Sequence, residues 1–335
     1  MKKFLSLVLA LVMTMSLVTV SAGAKEFKDD ADVTYDEAVA VISEIGVVDG
    51  DTDGNFRPTD NLSRGAAAKI ICNLILGPTT AAELKADTAP YKDVPVSNTF
   101  SGYIAYCAKE GIISGYADGS FRPAGTLTGY AFMKMLLGAL GYDSENEGYT
   151  GANWSINVAK QAIGIGLNAG LADEFNGVDF VTREEAALYA FNTLKATMVD
   201  YEQKITTNIN GVEVVISQGN EKPVTWSEGI NEDGNIKDDN FVQFAEEYFP
   251  KLVRKDDHDK FMAPANVWLY DKTEIGTYER TDLIVETYTT KVTGKDAYDL
   301  LKSGVIDKNK LESYVDGKDN TIKKNDLVRS NNNDL

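Results

Sequence analysis

Two stretches of this chain nearly coincide. "DGDTDGNFRP" (49–58) and "SGYADGSFRP" (114–123) carry the Asp-Gly, the Phe and the Arg-Pro at the same relative places, with Phe121 lying 65 positions beyond Phe56 and Gly119 65 beyond Gly54. The match extends both ways. Upstream, "YDEAVAVISEIGVVDG" (35–50) lies over "FSGYIAYCAKEGIISG" (100–115), and downstream "LSRGAAAKIICNLILG" (62–77) lies over "LTGYAFMKMLLGALGY" (127–142). A third, degraded copy follows as "WSINVAKQAIGIGLNAG" (154–170) and "VTREEAALYAFNTL" (181–194), with "LADEFNGVDF" where the Phe-Arg-Pro turn should be. A fixed long period means a repeat architecture, in which no single copy can bury its apolar face alone.

Local signals make each copy helix, turn, loop, helix. Thr182 reads as an N-cap with Glu185 three residues on, a capping box, and Ala187, Ala190, Phe191 and Leu194 follow at helical spacing. Ser63 and Thr128 hold the same cap place in the first two copies. Gly46, Gly111 and Gly166 stand where the first helix of each copy should end. The Asp-Gly of each turn tolerates positive φ, and the Phe after it can return to the core. Three such hairpins are expected to pack around a shared axis.

The motif set resembles that of the S-layer homology (SLH) family, over about residues 27–198. It comprises an opening aromatic-x-Asp ("FKD", "YKD"), a Gly-x-x-x-Gly, the Asp-Gly-x-Phe-x-Pro turn and a Thr-Arg-Glu-Glu start to a second helix. The resemblance implies a multidomain chain: a mainly α-helical SLH triplet of pseudo-threefold helical hairpins, then a mixed α+β domain. Its boundaries would be modules at 25–78, 79–143 and 144–200 and a mixed α/β surface domain at 201–335. It also implies an anchor whose grooves bind a peptidoglycan-linked secondary cell-wall polymer, commonly a pyruvylated glycan, with self-association on the cell surface as a further expectation. The family's ligand-contacting Arg falls on Arg64 and Arg183, its aromatic platform on Trp154, and its groove glycines on Gly50, Gly115 and Gly170. The sequence departs from the pattern at Gly129, where the second copy should have the Arg, and at Thr34 and Thr99, which stand in for Trp154.

Elementary electrostatics singles out the same arginines. Each directly follows an N-cap, so it sets a cation at the positive end of a helix at a cost of roughly 0.3–1 kcal/mol. Open helix N–H groups beside such a cation would form an anion site, and Arg can clamp a carboxylate with two hydrogen bonds. The alternative is that Arg64 and Arg183 pair with neighbouring acids and pack their stems. For Trp154 the alternative to a sugar platform is inter-repeat core.

Charge and composition bound the partners. With 51 Asp+Glu against 33 Lys+Arg the net charge is −18, which makes nucleic acid a poor partner. Lys2 and Lys3, the apolar run from Phe4 to Val20 and "AGA" at 22–24 read as a signal peptide (1–24) cleaved after Ala24, leaving no membrane segment. Cys72 and Cys107 are the two cysteines; each reads as a small core residue, with a disulfide between them left open. No cofactor is expected, although "DGDTDGNFRPTD" also scans as a calcium loop with Asp49, Asp51, Asp53 and Asp60 as ligands. Against calcium stand Arg57 and Pro58 late in the loop and a sister copy that keeps only Asp118-Gly119.

After about Asp200 the texture changes to Thr, Val, Ile and Asn. "KITTNINGVEVVISQG" predicts a hairpin around Asn210-Gly211. "FVQFAEEYFPKL" (241–252) and "KDAYDLLKSG" (295–304) read as helices, and 266–279 and 282–293 as strands. His258, the one histidine, lies in the charged run "KDDHDK" and reads as a solvated loop residue. No nucleophile–base or two-His metal spacing occurs, so a non-enzymatic protein is expected. The rival reading is a wall or polysaccharide hydrolase on the same anchor, its catalysis in 201–335 or in sequence beyond the polar end "RSNNNDL", which suggests a fragment.

Overall fold

A computed structural model describes residues 25–280, except 204, 211, 218, 227–234, 238, 261 and 262, together with 283, 313–315 and 318–320. The expected signal peptide and the helix at 295–304 lie outside these residues, as does the strand at 282–293 apart from Leu283. After a short 3-10 turn at Asp30–Asp32 come helices α1 (Asp36–Glu44), α2 (Arg64–Leu76), α3 (Pro78–Ala81), α4 (Ser101–Lys109), α5 (Gly129–Ala139), α6 (Trp154–Gly164) and α7 (Arg183–Lys195).

Glycine stops the first helix of each repeat. Gly46, Gly111 and Gly166 follow α1, α4 and α6 with φ of 76°, 71° and 77°. That left-handed step turns the next N–H back onto the helix: Val47 donates to the Ile42 carbonyl at 3.0 Å, Ile112 to Cys107 at 3.0 Å and Leu167 to Ala162 at 2.9 Å. This closure satisfies carbonyls that a helix end would otherwise leave open. The second helices begin with equal regularity. Ser63, Thr128 and Thr182 accept from the N–H of Ala66, Ala131 and Glu185, and the Glu185 carboxylate accepts the Thr182 N–H at 2.7 Å to complete the capping box.

Between the helices the repeated turn is held by a distant acid. The N–H groups of Phe56 and Arg57 donate to the two Asp29 oxygens at 2.6 and 2.7 Å, and those of Phe121 and Arg122 to Asp93 at 2.7 and 2.7 Å. Those bonds hold Arg57 (φ 58°) and Arg122 (φ 60°) in the left-handed region, which ordinary residues occupy only when their surroundings impose it. Phe56 and Phe121, each 1% exposed, pack at 5.3 Å against Phe27 and Tyr91. The aromatic-x-Asp motif thus supplies both the ring and the carboxylate.

Three residues just before the caps, Leu62, Leu127 and Val181, are buried. The Leu62 N–H donates to the Val181 carbonyl at 2.9 Å and the Val181 N–H to Leu127 at 3.1 Å. Isolated antiparallel bridges, Asn61 with Thr182, Ser63 with Thr126 and Thr128 with Phe180, join the repeats pairwise. Around them Ile42, Ile71, Leu74, Ile104, Phe132, Leu136 and Leu194 are fully buried.

Small antiparallel sheets follow the helices. β1 (Val199–Tyr201) pairs with β4 (Glu221–Pro223), and β2 (Ile205–Ile209) pairs with β3 (Val212–Ser217). Ile209 faces Val212 with Asn210 at φ 54°, as a tight primed turn requires. The helix read at 241–252 is only α8 (Phe244–Tyr248), because Pro250 disfavours helical geometry at Phe249. Backbone bonds tie this part to the helices: Val199 N–H donates to Leu140 O and Phe244 N–H to Ala196 O. β5 (Leu252–His258), β6 (Pro264–Tyr270) and β7 (Thr273–Glu279) come next, so His258 ends a strand rather than sitting in a loop. β8 (Ser313–Val315) and β9 (Lys318–Asn320) pair antiparallel. The chain forms two compact units, one of Gly23–Val253 with Leu269–Ile275, the other of Arg254–Trp268 with the described residues from Gly276 onward.

The turns carry an acid-sensitive share of the stability. The Asn55 N–H leads in drawing Asp51 down to about 2, and the Ser120 hydroxyl leads in drawing Asp118 down to about 2, from an ordinary 3.8. A lowered folded-state pKa stabilises above the unfolded value and loses that effect as pH falls through the folded one. A D51N/D118N variant should therefore melt below the parent at neutral pH, with the gap closing between about pH 4 and about pH 2. A gap unchanged across that window, followed by circular dichroism, contradicts the assignment.

Candidate functional site

The amino ends of the second helices are already occupied. At α2 the N–H groups of Arg64 and Gly65 donate to the carbonyls of Gly125 and Pro123 at 2.8 and 2.8 Å. At α5 those of Gly129 and Tyr130 donate to Asp179 and Gly177 at 2.9 and 2.8 Å; at α7 those of Arg183 and Glu184 donate to Asp60 and Pro58 at 2.9 and 3.1 Å. The expectation of open N–H groups awaiting an anion is corrected: each helix start is capped by the turn of another repeat. Any anion must be held by side chains.

The two arginines lie on those turns in matching poses. Arg64 Nε donates to the Phe121 carbonyl at 2.8 Å and Nη2 to Ser114 at 3.2 Å, with the guanidinium 4.4 Å from the Phe121 ring and 5.0 Å from Tyr116. Arg183 Nε donates to Phe56 at 2.8 Å and Nη2 to Asp49 O at 2.9 Å, 5.1 Å from the Phe56 ring. Both side chains donate to carbonyls rather than to the neighbouring acids of the alternative. Burial is the largest influence on both and pulls their pKa values below the ordinary one. Each is a partly desolvated cation with guanidinium hydrogens to spare.

A cavity of 750 Å³ brings Arg64, Gly115 and Trp154 together, with Tyr116, Tyr149 and Lys134 also in its wall. Lys134 Nζ donates to the Tyr149 carbonyl at 2.7 Å and lies 6.0 Å from the Trp154 ring; burial lowers its pKa as well. Sequence reasoning missed Lys134. The signal was a lone cation in the apolar helix "AFMKMLLGAL". Lys69, 65 positions earlier, has a different fate: it pairs with Asp49 at 3.5 Å, and Lys25 takes the other Asp49 oxygen at 2.8 Å. The second-repeat counterpart of Asp49 is Ser114, so Lys134 lacks the acid that Lys69 meets, although Glu110, Asp143 and Glu145 line the same cavity.

The structure separates the remaining candidates. Arg183 sits beside Asp49 and Gly50 in another place. Gly50 and Gly115 leave room for aromatic rings, since an added Cβ would lie 2.7 Å from the Phe27 ring and 2.3 Å from the Tyr91 ring. Gly170, at φ 79°, has Leu188 as its neighbour, the third-repeat counterpart of Lys69 and Lys134. At Gly129 an added Cβ would meet Gly177 Cα at 3.1 Å and Phe175 at 3.2 Å, so Phe175 stands where an arginine stem would begin. That groove holds 160 Å³ and is lined by Asp173, Glu174, Asp179 and Glu185. In the loop scanned for calcium, the Asp51 oxygens accept from the N–H groups of Asp53 and Asn55 and from Arg57, while Asp49 faces its two lysines. Among the described residues no three His, Cys, Asp or Glu side chains converge as metal ligands would.

The S-layer homology domain model matches residues 26–68 and 90–129, the segments that hold the aromatic-x-Asp motifs, the turns and the start of α2 and α5. The chain carries S-layer homology modules. That kinship makes it a secreted cell-surface protein. The SLH chain is 27% identical to the S-layer protein sap of Bacillus anthracis over 234 residues, 64% of this chain and 28% of that protein. It is 25% identical to the surface-layer 125 kDa protein of Lysinibacillus sphaericus over 248 residues, 68% of this chain and 20% of that protein. An uncharacterized cell wall amidase of B. anthracis is 27% identical over 154 residues, 44% of this chain and 28% of the amidase. The chain therefore spans at most 28% of the length of these relatives. No described helix is long and apolar enough to cross a membrane.

The glycine at 115 gives a direct check on the packing. Gly115→Ala should cost roughly 1–3 kcal/mol by forcing the Tyr91 ring off Phe121. Urea unfolding measures it, and a variant as stable as the parent would show that the ring has room to move.

Proposed function

We propose that the chain anchors a secreted protein non-covalently to the bacterial cell wall, by gripping an anionic secondary cell-wall polymer in the Arg64 groove. One observation carries this reading: Arg64 and Lys134 are partly buried cations beside Trp154, in a cavity large enough for a sugar or two, and neither pairs with a carboxylate among the described residues. A desolvated cation without a counter-ion is costly unless a ligand supplies one. A pyruvate ketal would do so with its carboxylate while the sugar stacks on Trp154. The Arg183 groove is a weaker second site, since Asp49 already neutralises Lys69 there, and the acid-lined Gly129 groove is not a site for this polymer.

In this reading residues 144–200 form a third module beyond the two matched. What supports it is the closed circuit of backbone bonds, α2 onto the second repeat's turn, α5 onto the third's and α7 onto the first's. Self-association on the surface fits the S-layer relatives. A wall hydrolase on the same anchor is the second reading, favoured by the amidase relative; it requires catalysis in residues 201–335 or in further sequence.

Cosedimentation with purified cell wall, with and without its polymer, tests the anchor. Lys134→Met keeps the stem packing and should weaken binding about tenfold, the equivalent of about 1.4 kcal/mol. Arg64→Lys, which keeps charge but loses the fork, should weaken it similarly, and Arg183→Lys less. Undiminished binding by both Arg64→Lys and Lys134→Met refutes the groove assignment; undiminished binding to polymer-stripped wall refutes the ligand class.

A further inference from the structure

We infer that Cys72 and Cys107 are an oxidisable pair that closes into a disulfide joining the first repeat to the second. Cys72 lies in α2 and Cys107 in α4, both have 0% exposure, and their sulfurs are in direct contact at 3.4 Å. A disulfide holds its sulfurs at about 2.05 Å, so the bond needs an approach of about 1.4 Å. As thiols the two share one weak S–H···S contact at 3.4 Å, and Cys72 Sγ also reaches Tyr103 O at 3.6 Å and Cys107 Sγ reaches Ala68 O at 3.6 Å. Both carbonyls lie within helices, so oxidation strips no partner that the fold depends on.

The position gives the bond a structural consequence. α2 begins at Arg64, and α4 runs directly into the 110–116 turn whose Ser114 carbonyl Arg64 holds. A covalent link partway along both helices would fix that pair of ends. It would also close a loop from residue 72 to residue 107, a span for which the loss of unfolded-state freedom is large. Once folded, the thiols are shielded and the Cys72 pKa is raised, chiefly by its contact with Cys107. Exchange then belongs to the folding chain after export, where surface proteins meet oxidants.

The reaction balances with a small disulfide as oxidant. One cysteine thiolate attacks it and releases one small thiol, giving a mixed disulfide; the second cysteine thiolate displaces the other small thiol as the Cys72–Cys107 bond forms. The protein pair loses two electrons and two protons, and the oxidant becomes two thiols.

Refolding the full chain in an oxidised and reduced glutathione buffer tests the inference, followed by maleimide trapping in denaturant and intact mass measurement. The expected product is a monomer lighter by two hydrogen atoms, without maleimide label, melting several degrees above the same protein in dithiothreitol. Two labelled thiols, glutathione adducts or cross-linked dimers would overturn it. So would a disulfide that lowers the melting temperature, since that would mean the helices were forced together. A C72A/C107A double variant should melt alike in both buffers; the wild-type labelling decides even if that variant folds poorly.

Discussion

Everything in the helical part depends on one exchange: carbonyls in the turn of one repeat cap the helix that starts in another. A helix start presents N–H groups with no partner of their own, and leaving them unpaired in a packed interface would cost several times a single hydrogen bond. Here Pro123 and Gly125 serve α2, Gly177 and Asp179 serve α5, and Pro58 and Asp60 serve α7. Each repeat's own cap residue satisfies a later N–H of its helix, but the first two N–H groups find their acceptors in a different repeat. The circuit explains why three hairpins with modest individual cores hold together. In the first two repeats those carbonyls come from the Arg-Pro corner and in the third from Gly177 and Asp179, so the circuit fixes where the carbonyls point rather than the turn's sequence.

That corner shows how far the sequence could be read. The period, the cap residues and the terminating glycines are local signals, and α1, α2 and α4 to α7 begin or end at them, whereas α3 (Pro78–Ala81) was not read from the sequence. Asp29 was visible only as part of a motif. Its work, clamping two N–H groups 27 and 28 residues away, could not be read because nothing local reports where a surface carboxylate will reach. The positive φ of Arg57 and Arg122 was hidden for the same reason: the strain is imposed from a distance. Apolar spacing alone extends the helix over 241–252, but Pro250 disfavours helical geometry at Phe249 and the helix ends at Tyr248.

The candidate site divides along a similar line. Arg64, Trp154 and Gly115 were named from motif positions, and they do share one cavity. Lys134 was not, since a lysine in an apolar helix can snorkel to water, and only the fold shows its amine turned to the Tyr149 carbonyl. The chain's charge of −18 is a property of the whole molecule and does not set the field inside one groove. At physiological salt, fields fade over about 8 Å, so what matters is the local balance between Arg64 and Lys134 and the cavity's own acids, Glu110, Asp143 and Glu145. Asp143, near the rim, already accepts the N–H groups of Glu145 and Asn146.

The third repeat shows that arginine and turn are one device. Arg64 and Arg183 each meet a carbonyl and a phenylalanine ring of an Asp-Gly-x-Phe-Arg-Pro turn in the neighbouring repeat, and a second carbonyl, of Ser114 or Asp49, four residues before it. The third repeat has lost that turn, and the helix that docks on it begins with Gly129 instead of arginine. Phe175 and Gly177 crowd the position so closely that even a Cβ would press on them, and Phe175 packs between Tyr130 and Tyr189 at 5.9 and 6.0 Å. An arginine there would find a ring in its path and fewer carbonyls to hold it, so losing the turn removes the reason for the arginine.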